Sequence, residues 1–266
     1  MNSRIAFDTK NERYYVKSSS GIQNLSGLHR LLSARFYPPG STYANIKHGK
    51  RHVKAKLRDR MGRALPRMTH RKARNLGARV DAQMDRFVRA AMGDKDLLRQ
   101  WITGKRTVKS SSTTKIKKPK VNLHVYTQAA FQKLWDEGWE PVECQKIVGS
   151  VQHGIATAVD VVAKHSTIKG KMAVIEVKTG YDATWKADTR QSLKAPLQGL
   201  PDSAQNKAHL QAACTGLLYR ATTGIQPHMY VLHLCKEGAK LESLHPTMKK
   251  QINAIAKTLV TRPSVA

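Results

Sequence analysis

The residues of greatest chemical interest lie in two apolar runs, 156–163 and 172–178. Asp160 interrupts the first run, and Glu176, Val177 and Lys178 close the second. Because strand side chains alternate, Glu176 and Lys178 project to one face and Val177 to the other. If the two strands pair, Asp160 meets Glu176 across the ladder.

Two carboxylates this close repel each other, and burying them is costly unless a hard cation lies between them. We therefore predict a Mg²⁺ site, with Mn²⁺ as a substitute, held by Asp160, Glu176 and the backbone carbonyl of Val177. Lys178 would position the attacking water or stabilise the charge that builds on a phosphate. The pattern favours phosphodiester hydrolysis, although a Glu-x-Lys triplet on a strand is also typical of an ordinary surface salt bridge.

The order of these residues resembles a known superfamily. Gly154, Asp160, the triplet Glu176-Val177-Lys178 and a later helix with Gln211 resemble the PD-(D/E)xK nucleases, in particular the RecB-like and lambda-exonuclease-like branch. The resemblance covers roughly residues 74–235. It implies a restriction-endonuclease-like core, metal binding by Asp160 and Glu176, catalysis by Lys178, and support of the site and the substrate phosphate by Gln211.

The sequence departs from this family at three positions. Val159 stands where the family name has Pro, and the helix with Gln211 continues to Tyr219 with a longer spacing. The RecB-like branch also opens with a Gly-x3-His helix whose His contributes to the metal site, whereas here Gly77 is followed at that spacing by Asp81. Asp81 is either another oxygen ligand for Mg²⁺ or a solvent-facing residue of an amphipathic helix. Exonuclease-type action depends on which interpretation holds.

Apolar periodicity and turn residues predict the elements that position these residues. Helices are expected over 74–92 and 127–137, with Gly138 and Pro141 as breakers, and from Pro201-Asp202-Ser203 to before Gly224. Strands are expected over 145–151, 156–163, 172–178 and 228–234, the first three as an antiparallel meander. A hairpin is expected within 4–17. Together they predict the α/β class, with a mixed central sheet flanked by helices.

The charge predicts a polyanionic partner. The chain of 266 residues carries a formal net charge of +29 with a pI near 10.3, which favours nucleic acid over an anionic membrane surface. Residues 1–120 hold 30 Lys+Arg against 7 Asp+Glu, whereas 121–266 hold 17 against 11. We therefore predict a basic N-terminal extension over 1–73 and a nuclease core over 74–266 with a flexible basic insert at 104–120.

Several basic residues are predicted to contact phosphates without reading sequence. They are Lys54, Lys56, Arg58, Arg60, Arg63, Arg67, Arg71, Lys72 and Lys207. The alternative is a role in solubility, localisation or packaging, and the run KIKKPK at 115–120 also fits a nuclear import signal. Glu143 is either a further site carboxylate or a surface residue. His209 and Tyr219 share the helix with Gln211, and His209 is expected to face away from Gln211.

Cysteine and apolar content predict the class of protein. Cys144, Cys214 and Cys235 have neither zinc-site nor disulfide spacing, so we expect them reduced and buried. The sequence contains no apolar leader and no long apolar run, which predicts an intracellular protein of the cytoplasm or nucleus, with a virus-encoded origin also consistent. No small-molecule cofactor is expected.

We therefore predict that the protein is a Mg²⁺-dependent DNA nuclease. The leading form of this prediction is an exonuclease of repair, recombination or replication. The preference for DNA over RNA rests on the family resemblance. There are two alternatives. One is a structure-selective endonuclease of the resolvase type. The other is a nucleic-acid-binding or packaging protein that kept a nuclease fold.

Overall fold

The computed structural model describes residues 5–9, 11–19, 21–39, 41, 70–91, 123–181, 185–186 and 191–261. Within these ranges the chain forms eight strands and six helices. The strands are β1 Ile5–Asp8, β2 Arg13–Ser18, β3 Gly21–Gly27, β4 Trp139–Ser150, β5 Ile155–His165, β6 Met172–Thr179, β7 His228–Cys235 and β8 Gly238–Ser243. The helices are α1 Leu28–Arg35, α2 His70–Ala91, α3 Val125–Asp136, α4 Ala204–Thr223, α5 Pro246–Lys250 and α6 Ile252–Val260.

The strands form one mixed sheet in the order β1-β2-β3-β5-β6-β7-β8, with β4 also paired to β5. β4 runs antiparallel along one edge of β5. β6, antiparallel, and β3, parallel, share the other edge. β7 is parallel to β6 and antiparallel to β8. The predicted β4-β5-β6 meander is confirmed.

Helices cover both faces of this sheet, so the predicted α/β class is confirmed. The alternation of β6 shows the two layers: Val174 packs into a cluster with Leu210 of α4, and Ile175 packs into a second cluster with Val80 of α2 and Phe131 of α3. α1 and α6 belong to the first cluster. The residues of β6 that follow Ile175 therefore lie between α2 on one side and α4 on the other.

The first forty residues contribute to this same sheet. The expected hairpin is confirmed as β1 and β2, and β3 carries it to β5 through Ser26↔Ile155 and Gly27↔Ala156. α1 then buries Leu28 and Leu32 in the main core. The region predicted as a basic extension therefore supplies three strands and a helix in its described part. Residues 42–69 and the insert at 104–120 lie outside the described residues.

β4 starts earlier than expected. Gly138 ends helix α3, but Pro141 lies within the strand, at a shift of register between Pro141 and Glu143. Proline is tolerated there because an edge strand needs no ladder bond from its outward N–H. The prediction that the strand begins at residue 145 was wrong because Pro141, which was expected to be a breaker, is accommodated within this edge strand.

The ends of α4 follow the local sequence. The Ser203 hydroxyl accepts a hydrogen bond from the Asn206 N–H at 3.1 Å, and Gly224, with φ of +75°, ends the helix. Both predicted ends are confirmed. The three cysteines are free and buried, as predicted. No helix among the described residues is long and apolar enough to cross a membrane.

Candidate active site

Strands β5 and β6 separate at the predicted site. Their ladder ends at Val161↔Ile175, so the next residues along the two strands are Asp160 and Glu176. β3 pairs with the same edge of β5, but only at Ile155 and Ala156. Among the described strands, residues 157–160 thus lie opposite a gap between β3 and β6, which opens the sheet beside Asp160.

The Asp160 side chain bridges this gap. Its Oδ2 accepts a hydrogen bond from the Val177 N–H at 2.8 Å, a contact that replaces the interrupted ladder. Its Oδ1 accepts a longer one, at 3.4 Å, from the Gln145 side-chain amide. Gln145 has φ of +52°, an uncommon conformation for a residue with a side chain. The β4–β5 ladder also skips Gln145 and Asp160. The strand pairing at Asp160 is therefore irregular on both sides, toward β4 and toward β6.

Glu176 and Lys178 lie on the face of β6 covered by α4. Glu176 is 2% exposed, and its Oε1 accepts a hydrogen bond from the Lys178 ammonium group. The same ammonium group donates to Gln211 Oε1 at 3.1 Å. Glu176 Oε2 is buried and has no hydrogen-bond partner among the described residues. Such an oxygen is costly to bury unless something else satisfies it.

The electrostatics reflect an excess of negative charge. Burial and the nearby charge of Asp160 raise the pKa of Glu176 to about 8, against the attraction of Lys178. Burial by itself lowers the pKa of Lys178, but Glu176 and Asp160 together raise it above its ordinary value. Burial and Asp160 likewise raise the pKa of Asp81 to about 7. Three carboxyl groups therefore compete for the single ammonium group of Lys178.

Helix α2 brings Asp81 to this site because Gly77 permits a close approach. A Cβ added at Gly77 would lie 3.3 Å from Thr179 Oγ1 at the end of β6, which is tighter than an ordinary contact. One turn later, Asp81 is half-buried and interacts with both Asp160 and Lys178. Of its two interpretations, the structure supports proximity to the site over a solvent-facing position. We call Asp81, Asp160, Glu176, Lys178 and Gln211 the carboxylate site.

The donor atoms present suit a hard cation. Asp160, Glu176 and the Val177 carbonyl supply oxygen only, and the unpartnered Glu176 Oε2 beside Asp160 is the feature that such an ion would satisfy. No group of three or more His, Cys, Asp or Glu side chains within the described ranges is arranged to hold a metal ion. Mg²⁺ does not require such a cage, because it commonly binds one or two carboxylates and keeps several waters.

Lys207 does not join the carboxylate site. It is 3% exposed, its ammonium group pairs with Asp202 at 2.9 Å, and it lies over the Tyr37 ring. The predicted phosphate contact is therefore wrong, because a buried and paired ammonium group is not presented to a substrate. Glu143 is exposed and pairs with Lys146, which supports the surface interpretation. Tyr219 is 3% exposed and lies in the core.

A second buried polar group lies around Glu242 of β8. Its carboxylate accepts hydrogen bonds from Gln205 at 2.7 Å and from Trp185 Nε1 at 3.1 Å, and lies 3.1 Å from His209 Nε2. Partial burial alone raises the pKa of Glu242, but these partners outweigh burial and lower it to about 2. We call these four residues the anchor cluster. The expectation that His209 faces away from Gln211 is confirmed.

The anchor cluster holds the segment that follows β6. Trp185 stacks on His233 with ring centroids 3.9 Å apart, and His233 Nε2 is 2.6 Å from the Gly180 carbonyl oxygen. The backbone N–H of Trp185 donates to Tyr181. Gly180, which follows β6 and lies two residues beyond Lys178, is therefore held through the cluster. Sequence reasoning missed Glu242 because it did not predict β8, which among the described strands pairs with β7 alone. It missed Trp185 because the partner of its indole N–H is Glu242.

Tyr14 on β2 is a neighbour of the carboxylate site that sequence reasoning also missed. Its phenol is hydrogen-bonded to the Ala158 backbone in the gap beside Asp160. Burial raises the pKa of Tyr14; the Ala158 hydrogen bond opposes this, and the charge of Asp160 adds to it. No local signal links Tyr14 to Asp160, because the hairpin reaches β5 through the pairing of β3, a long-range contact.

Most predicted phosphate contacts lie outside the described residues, and they stay predictions. These are Lys54, Lys56, Arg58, Arg60, Arg63 and Arg67. Arg71 and Lys72 lie in the first turn of α2.

A scan against models of known protein families finds no match, and a search of curated proteins also finds none. The resemblance to PD-(D/E)xK nucleases therefore stays a prediction from the motif residues.

Proposed function

We propose that this protein is a Mg²⁺-dependent DNA nuclease, of exonuclease type, that hydrolyses phosphodiester bonds on a restriction-endonuclease-like core. One observation carries the proposal: the buried Glu176 Oε2 has no hydrogen-bond partner among the described residues and lies beside Asp160, where β5 and β6 separate. Residues that serve only the fold do not commonly leave a buried carboxylate in this state. A cation bound there would satisfy it.

Asp160, Glu176 and the Val177 carbonyl would hold the ion, and Asp81 approaches from α2 as a further acidic group. A bound Mg²⁺ supplies Lewis-acid polarisation of a phosphoryl oxygen and lowers the pKa of bound water. The Asp160–Val177 hydrogen bond keeps the carboxylate and the carbonyl in register although the strands have parted. The ligand set is thus preorganised by the backbone.

Lys178 acts as a fixed positive charge in this proposal. Because Glu176 and Asp160 raise its pKa, the side chain is protonated at neutral pH and is unsuited to act as a general base. Glu176 and Gln211 hold its ammonium group from two directions. It is therefore placed to stabilise the charge that develops on the phosphate, an interaction that is strong in a partly dry site.

The charge of the chain supports a nucleic-acid substrate. A net charge of +29 draws a polyanion toward a site that is itself acidic, and the cation joins the two. The preference for DNA and for exonuclease action rests on the family resemblance alone. Linear and closed circular substrates distinguish exonuclease from endonuclease action.

The deciding experiment incubates the full chain with end-labelled linear DNA and with closed circular DNA, in Mg²⁺ or in EDTA. We expect Mg²⁺-dependent loss of the linear substrate alone, and no cleavage by Asp160→Asn. Lys164→Ala is the matched control, since Lys164 lies exposed on the same strand, at the end away from Asp160. Cleavage of circular or branched DNA would show that the protein acts as an endonuclease and not as an exonuclease. Salt-sensitive binding without Mg²⁺-dependent cleavage would overturn the proposal in favour of a binding protein.

A further inference from the structure

Two neighbouring strands reverse their alternation of faces at the same point, beside the carboxylate site. In a regular strand, residues two or four apart share a face. In β5, however, Val159 packs into the cluster with α4, whereas Val161 packs into the cluster with α2 and α3. In β4, Val148 and Cys144 are divided between the same two clusters. Each strand therefore contains an irregular residue, which in β5 is Asp160.

Gln145 is the corresponding residue of β4. The β4–β5 ladder leaves out one residue of each strand and resumes with the pairs on either side, Cys144↔Val161 and Lys146↔Val159. Because both strands have one unpaired residue here, the register is kept. An extra residue at Asp160 alone would shift the pairing and turn the following side chains to the wrong face. Gln145 thus allows the Asp160 side chain to leave the regular alternation and accept the Val177 N–H across the gap.

The Gln145 backbone is strained. Its φ of +52° lies in the left-handed region, which favours glycine and asparagine. Among the described non-glycine residues, Glu12 in the β1–β2 turn and Tyr181 after β6 also have a positive φ, but neither lies within a strand. Such a conformation persists where the surroundings impose it, commonly at functional sites. Glycine would fit this backbone better, so the presence of an amide side chain needs a separate reason.

The Gln145 side chain completes the support of the Asp160 carboxylate. Its amide N–H donates to Oδ1 at 3.4 Å, while the Val177 N–H donates to Oδ2 at 2.8 Å. Both oxygens are therefore oriented, one from β4 and one from β6. A carboxylate oxygen has two lone pairs, so each keeps one for a cation. Groups that orient a metal ligand in this way commonly contribute roughly 10- to 100-fold to metal affinity.

We infer that Gln145 is a positioning residue for the cation site. Its amide orients Asp160 as a ligand, and its strained backbone keeps β4 in register with the irregular β5. This inference rests on the proposed function, in which Asp160 holds Mg²⁺. Gln145 supplies no ligand itself, so its effect on the reaction passes through Asp160. Metal affinity should therefore depend on the Gln145 amide, whereas the stability of the fold should not.

The test measures Mn²⁺ binding to the full chain without DNA, from the electron paramagnetic resonance signal of free Mn²⁺. Gln145→Gly removes the amide but suits a positive φ. Mn²⁺ affinity should fall about tenfold, the low end for a contact as long as this one, while the melting temperature in EDTA is kept or raised. Gln145→Asn, whose shorter side chain also tolerates this backbone, should bind Mn²⁺ equally weakly. Glu12→Gly is the matched control, since it relieves a positive φ in the β1–β2 turn and should leave Mn²⁺ affinity unchanged.

Wild-type Mn²⁺ affinity in both Gln145 variants would overturn the inference, and lowered melting temperatures beside that affinity would assign Gln145 to the fold alone. An equal loss of affinity in Glu12→Gly would overturn it too, since the effect would not depend on contact with Asp160. Failure of the proposed function has a different signature. Asp160→Asn would then bind Mn²⁺ as tightly as the wild type, and the wild type would not cleave DNA in Mg²⁺, which would overturn both proposals.

Discussion

Glu176 and Glu242 are both removed from most solvent, and helix α4 contributes residues to both of their sites, yet their chemistry differs. Glu242 interacts with three partners, and its pKa falls to about 2. Glu176 has a single ammonium partner and acidic neighbours, and its pKa rises to about 8. The anchor cluster is thus satisfied within the protein, whereas the carboxylate site is not. A buried carboxylate of the first kind stabilises a fold, whereas one of the second kind is, in the proposed function, the group that a cation would satisfy.

Helix α4 connects the two groups. Gln205 and His209 are four residues apart and share the face that meets Glu242, while Gln211 is turned toward Lys178. Trp185 of the anchor cluster stacks on His233, which in turn contacts the carbonyl of Gly180 just beyond β6. A fully hydrogen-bonded group thereby supports the residue next to the carboxylate site, as a preorganised site requires.

The largest expected effect is on cleavage. Lys178→Ala should lower the single-turnover rate of DNA cleavage by about 100- to 1,000-fold, because it removes the one positive charge that the described residues place in the site. Lys178→Arg tests whether charge alone suffices. Its fork geometry differs from the ammonium group held by Glu176 and Gln211, so partial recovery is expected. A wild-type rate in Lys178→Ala would contradict the proposal that the carboxylate site is catalytic whereas the anchor cluster is structural.

The next effect is on stability. Glu242→Gln should lower the free energy of unfolding by about 2 kcal/mol, because it weakens charge-assisted hydrogen bonds in a partly buried place. Urea denaturation at pH 7 measures this. Glu237→Gln is the control, since Glu237 is an exposed residue in the β7–β8 turn that pairs with Lys240. An equal loss in the control would show that the anchor cluster has no special role.

The stability of the anchor cluster should depend on pH in a defined window. The folded pKa of Glu242 is lowered from 4.5 to about 2. Its contribution is therefore fully present above about pH 4.5 and is lost as the pH falls toward 2. The difference in unfolding free energy between wild type and Glu242→Gln should shrink steadily between pH 5 and pH 3. A constant difference would contradict the assignment.

A smaller effect of opposite sign is expected in the carboxylate site. With EDTA present, Asp160→Asn should raise the free energy of unfolding by about 1 kcal/mol, because it removes repulsion with Glu176 and Asp81. The gain should be larger at pH 8 than at pH 5, where Glu176 is protonated. Added Mg²⁺ should stabilise wild type but not the variant. A destabilised Asp160→Asn would mean that its hydrogen bonds outweigh its charge.

The smallest effect concerns the approach of helix α2. Gly77→Ala should leave the melting temperature nearly unchanged, because better helix propensity offsets a displacement of a few tenths of an ångström at Thr179. Cleavage should nevertheless fall severalfold, since small displacements near a site are costly, on the order of 100-fold for 1 Å. Ala82→Ser, at an exposed position of the same helix, is the control. An unchanged cleavage rate would indicate that Asp81 has no role in the reaction.

Local patterns predicted much of this molecule. Alternating apolar residues located β5 and β6, and Ser203 and Gly224 located the ends of α4. Asp160 and Glu176 were identified as candidates because a charge inside an apolar strand needs a reason to be there. The sequence also predicted that Lys178 and Glu176 share a face, which follows from the alternation of side chains along any strand.

Contacts between distant residues could not be predicted this way. His209 meets Glu242, Lys207 meets Asp202 and Tyr37, and Tyr14 reaches the strand of Asp160. From the sequence, the basic side chain of Lys207 is expected to be exposed to solvent, whereas in the fold it is buried. Pairings of this kind depend on which strands become neighbours, and local periodicity contains no information on that choice.

Side-chain type and local spacing thus account for the chemical groups of this protein and for the strands and helices that carry them. The fold, by contrast, sets where β5 and β6 part at Asp160, brings α2 close enough for Asp81 to lie near Asp160, and leaves Glu176 short of partners while Glu242 is satisfied. Those outcomes depend on long-range packing, which places groups far apart in the chain within reach of one another.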